Sequence, residues 1–152
     1  MKAFVLAEPG KVKWFDAPEP QLVPYGAILK PVAVTPCSSD VHTVFGGGSK
    51  KQDNLVLGHE CIAEVVSVGE NVCDFKTGDR VAVPAITPDW REKSIQEGND
   101  RHASAPFSGH QLGRTQPGVF SERFLIKDAD TTLAHIPQKI SEEQALMSLT
   151  SE

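Results

Sequence analysis

The chain has no Gly-x-Gly-x-x-Gly and no Gly-x-x-x-x-Gly-Lys-Ser/Thr, so no loop in it is patterned to wrap the phosphates of a nucleotide. Its three cysteines are odd in number and never spaced Cys-x-x-Cys, which argues against a disulfide framework or a four-cysteine structural zinc site. No stretch of about 18 apolar residues is present, and the apolar part of the start, MKAFVLAEPGKVKW, is too short for a secretion signal. A cytoplasmic protein that does not enter membranes is expected. Basic residues are also in deficit: 15 Lys and Arg face 20 Asp and Glu, a formal net charge of -5. A nucleic-acid partner needs a concentrated basic surface, and Lys50 with Lys51 is only a basic pair.

What is present suits one folded domain. The 152 residues allow a proper core but not two large domains, and 39% apolar with 23% charged residues is far from the composition of disordered chains. Short β-type runs cut by turn residues recur: KAFVLA, GAILKPVAVTP, CIAEVVSVG, DRVAVPA and FSERFLI. Pro31, inside the run from Ala27 to Val34, removes a ladder donor and predicts a bulge or an edge. Ile62 to Val68 alternates poorly, as a strand buried on both faces does. Gly69 and the pair Gly78 and Asp79 mark turns around an excursion between two strands. The triplet Gly46 to Gly48 suits a flexible turn. Asp89 to Gly118, polar and rich in Gly, Ser and Pro, reads as a long surface excursion. Helical patterns are scarce, the exception being Ser141, which has capping-box spacing to Gln144 ahead of an Ala, Leu and Met run.

Two stretches concentrate the chemistry: TPCSSDVHTVF, from Thr35 to Phe45, and LGHECIAEVVSVG, from Leu57 to Gly69. Zinc prefers thiolate and imidazole in a tetrahedral shell, with one open place when it is catalytic. Cys37 and His59 fit that donor set, and Glu60 can add a carboxylate. Asp40 can orient His59 through its other ring nitrogen, and Ser39 with His42 can pass a proton toward solvent. The plain alternative is a Cys37 that packs as a small hydrophobe beside solvated polar groups. Spacing alone leaves both readings open.

The signature LGHECIAEVVSVGENVCDFKTGDRVAVPAITPDWR resembles the zinc signature of the medium-chain alcohol dehydrogenases. CSSDVHTVF, VPAITPDWR and GVFSERFLIKDADTTLAHIP resemble the NADP-dependent secondary alcohol dehydrogenases within that family. The resemblance runs over nearly the whole chain and matches the amino-terminal catalytic part of the family. It implies that residues 1 to 152 are a mainly β, GroES-like domain, a partly open β-barrel with few short helices. The family's Rossmann cofactor domain has no counterpart in these residues, so none of them is expected to bind the cofactor. The family's catalytic zinc would sit on Cys37, His59 and Glu60, with Asp40 behind them. Ser39 and His42 would form the proton relay. Ala85, Ile86 and Trp90 would line or adjoin the substrate side, and His110 would stand where relatives often carry a bulky aromatic. Thr150 stands about where the subgroup carries an aspartate as third zinc ligand, so zinc is expected to be held weakly or not at all. Cys61 and Cys73 have no family role and are expected to pack, and His135 is expected to be structural.

The resemblance therefore implies a catalytic-domain fragment of a zinc-dependent, NADP-linked alcohol dehydrogenase. In the intact enzyme it would interconvert small secondary alcohols and ketones; the fragment is expected to be inactive alone. The rival is a non-catalytic GroES-like binding or oligomerisation module. Apolar surface left by a missing domain favours self-association, with a homodimer expected.

Overall fold

The computed structural model describes residues 1–46, 54–88, 92–98 and 109–149. In chain order these form β1 (Lys2–Glu8), β2 (Lys11–Asp16), β3 (Ala27–Thr35), α1 (Ser38–Phe45), β4 (Leu55–Val56), β5 (Glu60–Val68), β6 (Arg80–Val83) and β7 (Ile86–Pro88). They continue with α2 (Lys93–Gln96), β8 (Gly109–Gln111), β9 (Phe124–Ile126), α3 (Ala129–Thr132), β10 (Ala134–His135) and α4 (Glu142–Met147). Strands dominate and the helices are short. Among the described residues no helix is long and apolar enough to cross a membrane.

The strands form three open sheets, ordered β2-β1-β4, β10-β6-β5-β3-β9 and β7-β8, and every strand pair is antiparallel. No closed barrel is formed among the described residues. The first two sheets are joined at one corner, where Phe4 donates its N–H to the Phe120 carbonyl at 2.7 Å, Ala3 bridges Ser121, and the same segment runs on into β9.

The long strands follow their sequence pattern. β5 buries Cys61, Ile62, Ala63 and Val65 completely, so consecutive side chains on both faces are covered. β3 pairs with β5 along its length, and its register shifts between Pro31 and Ala33, the bulge that a residue without an N–H demands. β9 reaches only Ala27 to Leu29, so Pro31 leaves no gap in that ladder. The excursion after β5 returns through Gly78, whose N–H donates to the Val65 carbonyl at φ +90°. The main core gathers Leu29, Val65, Phe75, Val83, Val119 and Ile126 from four strands and two loops. α4 begins at Ser141 with a capping box: Ser141 Oγ accepts from the Gln144 N–H, and Gln144 Oε1 accepts from the Ser141 N–H.

Several expectations change. The described end of the Asp89 to Gly118 segment is not a surface excursion, because Gly109–Gln111 pairs with β7 and Leu112 and Gln116 are buried. Cys61 packs in the core, but Cys73 is exposed and is not a packing residue. His135 stacks on Phe75 with ring centroids 4.5 Å apart and reaches the Asp74 carbonyl at 3.0 Å, a structural placement. Trp90, Thr150, the pair Lys50 and Lys51, and two of the three glycines of the triplet lie outside the described residues.

Candidate metal centre

Cys37 is the residue on which α1 begins, with an extended backbone at φ -98°. The Asp40 carboxylate, one turn on, accepts the Cys37 N–H at 2.9 Å, which closes the first turn from the inside. That contact holds the Cys37 side chain at the mouth of the helix. On the other wall, Gly58 takes φ +88°, a left-handed value that glycine reaches without steric cost, and turns the chain into His59 and then β5. The Gly58 N–H donates to Asp40 Oδ1 at 3.3 Å.

The side chains meet between these two walls. One donor atom each from Cys37, His59 and Glu60 lies within 4.8 Å of the others. His59 Nδ1 sits 3.4 Å from Asp40 Oδ1, while Nε2 faces Ser39 Oγ at 3.3 Å and Glu60 Oε1 at 4.0 Å. Asp40 and Glu60 are both buried, at 8% and 4% exposure. A buried carboxylate requires a cation or donors; for Glu60 the described partner is His59, at the outer limit of an ion pair.

The electrostatics are strongly coupled. The hydrogen bond to Asp40 raises the His59 pKa to about 9; burial opposes the rise and the Cys37 side chain adds to it. The Cys37 thiol is lowered, first by hydrogen bonding to the Ser39 hydroxyl and backbone and then by His59. Burial pushes Asp40 up, but its bonds from His59, Cys37 and Gly58 outweigh it and leave the carboxyl below its ordinary range. Without a cation the cluster therefore keeps a proton on His59. A metal ion displaces such protons when it binds.

The donor set suits zinc. Thiolate, imidazole and carboxylate are its usual protein ligands, with bonds of about 2.0–2.3 Å. Donors on a tetrahedral ion with such bonds lie about 3.3–3.8 Å apart, and the three here come within 4.8 Å of one another from a helix start and a strand start. His59 already has one ring nitrogen committed to a carboxylate, which fixes the other for a metal.

The remaining candidates spread outward. Ser39 is exposed in the first turn of α1 with its hydroxyl at His59, and His42 lies one turn on, also exposed. Ala85 is half-buried just ahead of β7 and accepts the Leu112 N–H on its carbonyl. Ile86 pairs with Gln111 and Thr87 with His110, so β7 and β8 bring Ala85, Ile86 and His110 to one two-stranded sheet. The His110 side chain lies outside the described residues. The sequence does not reveal two contacts: Ser39 on the Cys37 thiol and the Gly58 N–H on Asp40. The second carries a faint signal, a glycine directly before the histidine.

Residues 24–138 match the alcohol dehydrogenase GroES-like domain. The chain belongs to that family. The chain is 48% identical over 147 residues to an NADP-dependent isopropanol dehydrogenase of Thermoanaerobacter brockii. It is 44% identical over 147 residues to one of Clostridium beijerinckii. In both cases 97% of this chain and 42% of the relative are covered, so the chain spans about two fifths of their length. Among solved structures it resembles the apo form of zinc dependent alcohol dehydrogenase 2 from Streptococcus pneumonia, with a TM-score of 0.84 at 31% identity. That likeness covers 97% of this chain and 41% of the other.

Proposed function

We propose that this GroES-like domain is the zinc-holding catalytic part of an NADP-linked alcohol dehydrogenase acting on small secondary alcohols and ketones. The observation that carries the reading is the convergence of Cys37, His59 and Glu60 donors within 4.8 Å, backed by the Asp40 carboxylate on the far side of His59. The names of the 48% and 44% identical relatives support the substrate class and the nicotinamide cofactor.

Cys37, His59 and Glu60 would hold the metal, leaving a fourth place for the substrate oxygen. Zinc bound there supplies a Lewis acid that polarises that oxygen. Asp40 keeps His59 in the tautomer that presents Nε2 to the site. Ser39, whose hydroxyl reaches His59 Nε2, would take or return the proton of the substrate oxygen. His42, exposed on the same helix, carries the proton on to water. Ala85, Ile86 and His110, on or beside the β7–β8 sheet, would face the substrate and set its size limit. Hydride transfer needs a nicotinamide held against the substrate. A dinucleotide site of the usual kind rests on parallel strands joined by a helix, whereas every strand pair among the described residues is antiparallel. The described residues are therefore assigned the metal and the proton path.

Metal analysis of the purified 152-residue chain after dialysis, together with an assay of 2-propanol oxidation by NADP, tests both halves. Zinc held weakly, below one per chain after dialysis, lost in Cys37→Ala and His59→Ala, with no turnover is the expected result. No zinc at any stoichiometry would favour a non-catalytic binding module. Turnover by the 152 residues would overturn the division of labour.

A further inference from the structure

The peptide ahead of His59 is gripped by residues that offer no metal donor. The carbonyls of Val56, Leu57 and Gly58 accept from the N–H groups of Gly118 at 2.8 Å, Phe120 at 2.9 Å and Val119 at 3.1 Å. The Leu57 N–H donates to the Phe4 carbonyl at 3.1 Å, and the Gly58 N–H to Asp40 at 3.3 Å. All three carbonyls and two of the three N–H groups thus have named partners. The free space is filled as well. A Cβ on Gly58 would collide with the Phe120 ring, a Cβ on Gly118 with the carbonyls of Leu57 and Gly58, and a Cβ on Gly113 would come 2.9 Å from the Gly58 oxygen. Backbone lies against backbone at Gly113 and Gly118, and the Phe120 ring lies against Gly58.

We infer that residues 113–120 are a positioning element for His59, setting the affinity of the metal site without contributing a ligand. The inference rests on the metal-site reading above. Gly58 sits at φ +88°, and its peptide plane decides where the Cα–Cβ bond of His59 points. Asp40 Oδ1 serves both the Gly58 N–H and His59 Nδ1. A shift of the Gly58 peptide therefore moves the imidazole and its orienting carboxylate together. Phe120 holds the Leu57–Gly58 peptide at its carbonyl, opposite the N–H that Asp40 takes, and Val119 holds the carbonyl of the next peptide, which leads into His59.

A matched pair of substitutions separates positioning from mere stability. Gly113→Ala and Gly78→Ala both force alanine into the left-handed region, at φ +72° and +90°, but a Cβ at Gly113 meets Gly58 while one at Gly78 meets nothing within 4 Å. Phe120→Leu is a third variant: it withdraws the half-buried ring from Gly58 with no backbone strain, and it carries the test should Gly113→Ala fail to fold. Zinc affinity of the 152-residue chain is read by competition with a chromophoric chelator, and the thiolate absorption of the cobalt form reports ligand geometry. Gly113→Ala and Phe120→Leu are expected to weaken zinc about 10-fold or more and to alter the cobalt spectrum, the range seen when the support behind a ligand is lost. Gly78→Ala is expected to stay within about twofold of the unsubstituted chain, as a distant site should. Equal affinities and spectra across all variants would overturn the inference and leave the metal-site reading standing. An unsubstituted chain that binds no zinc would overturn both.

Discussion

Asp40 accepts the Cys37 N–H at the start of α1, accepts the Gly58 N–H ahead of β5, and lies 3.4 Å from His59 Nδ1. One carboxylate thus ties both walls of the site to the ring between them. Asp40→Asn keeps an acceptor for one N–H but loses the charge that holds His59, and is expected to lower zinc affinity about 10- to 100-fold in a chelator competition. An unchanged affinity would remove Asp40 from the site. The three cysteines differ just as sharply. Burial pushes the Cys61 thiol up to about 12, whereas Cys37 is half-buried with a lowered thiol and Cys73 is exposed. At pH 8 without metal, iodoacetamide should modify Cys73 and Cys37 and reach Cys61 only on unfolding, which peptide mass analysis reads directly. The sign of the linkage follows: folding holds a proton on Cys61, so its contribution is complete below the ordinary thiol pKa of about 8.5 and is lost as pH rises toward 12. Residue identity alone made Cys37, Asp40, His59 and Glu60 legible as candidates, because thiol, imidazole and carboxylate in close succession have a shared chemistry. It could not separate Cys73 from Cys61, since exposure depends on which loop meets the core and not on the residue type.

At the scale of elements, β3, β5, β6 and β9 were legible because their apolar runs answer to burial, and the bulge at Pro31 because proline lacks a donor. β2 was not: as the outer strand of its sheet it exposes Lys11, Val12, Lys13 and Trp14 in succession, so its pattern records solvent on both faces. α1 was hidden for another reason. Its sequence, SSDVHTVF, is short and rich in β-branched residues, and its cap is a cysteine backed by Asp40, not the Ser or Thr that usually marks a helix start. α4 was legible through Ser141, and that cap gives a clean test. Ser141→Ala should cost about 0.5–2 kcal/mol in urea unfolding, with Ser141→Thr restoring most of it. α4 packs against β3 and β5, so the loss should register globally and not as fraying alone.

For the molecule as a whole, a ligand that binds only the folded chain must stabilise it. Zinc at about 100 times its dissociation constant should add about 2.7 kcal/mol, seen as a higher urea midpoint that chelator reverses and His59→Ala abolishes. No shift would mean that the donors do not close on the metal. The open arrangement of three sheets was not legible, because closure depends on how one corner strand leaves one sheet for another. That corner also sets an order in time. His59 rests on Phe4, Asp40 and residues 118–120, so a chain growing on the ribosome displays all three donors long before the segment that shapes them exists. The 60 residues that follow Glu60, through Phe120, take about 3–12 s at about 5–20 residues per second. During that interval thiol, imidazole and carboxylate hang on an unshaped strand, open to any soft cation or oxidant; if the site takes zinc as proposed, fidelity of metal loading would be decided after synthesis of the donors, by the arrival of residues that never touch the metal.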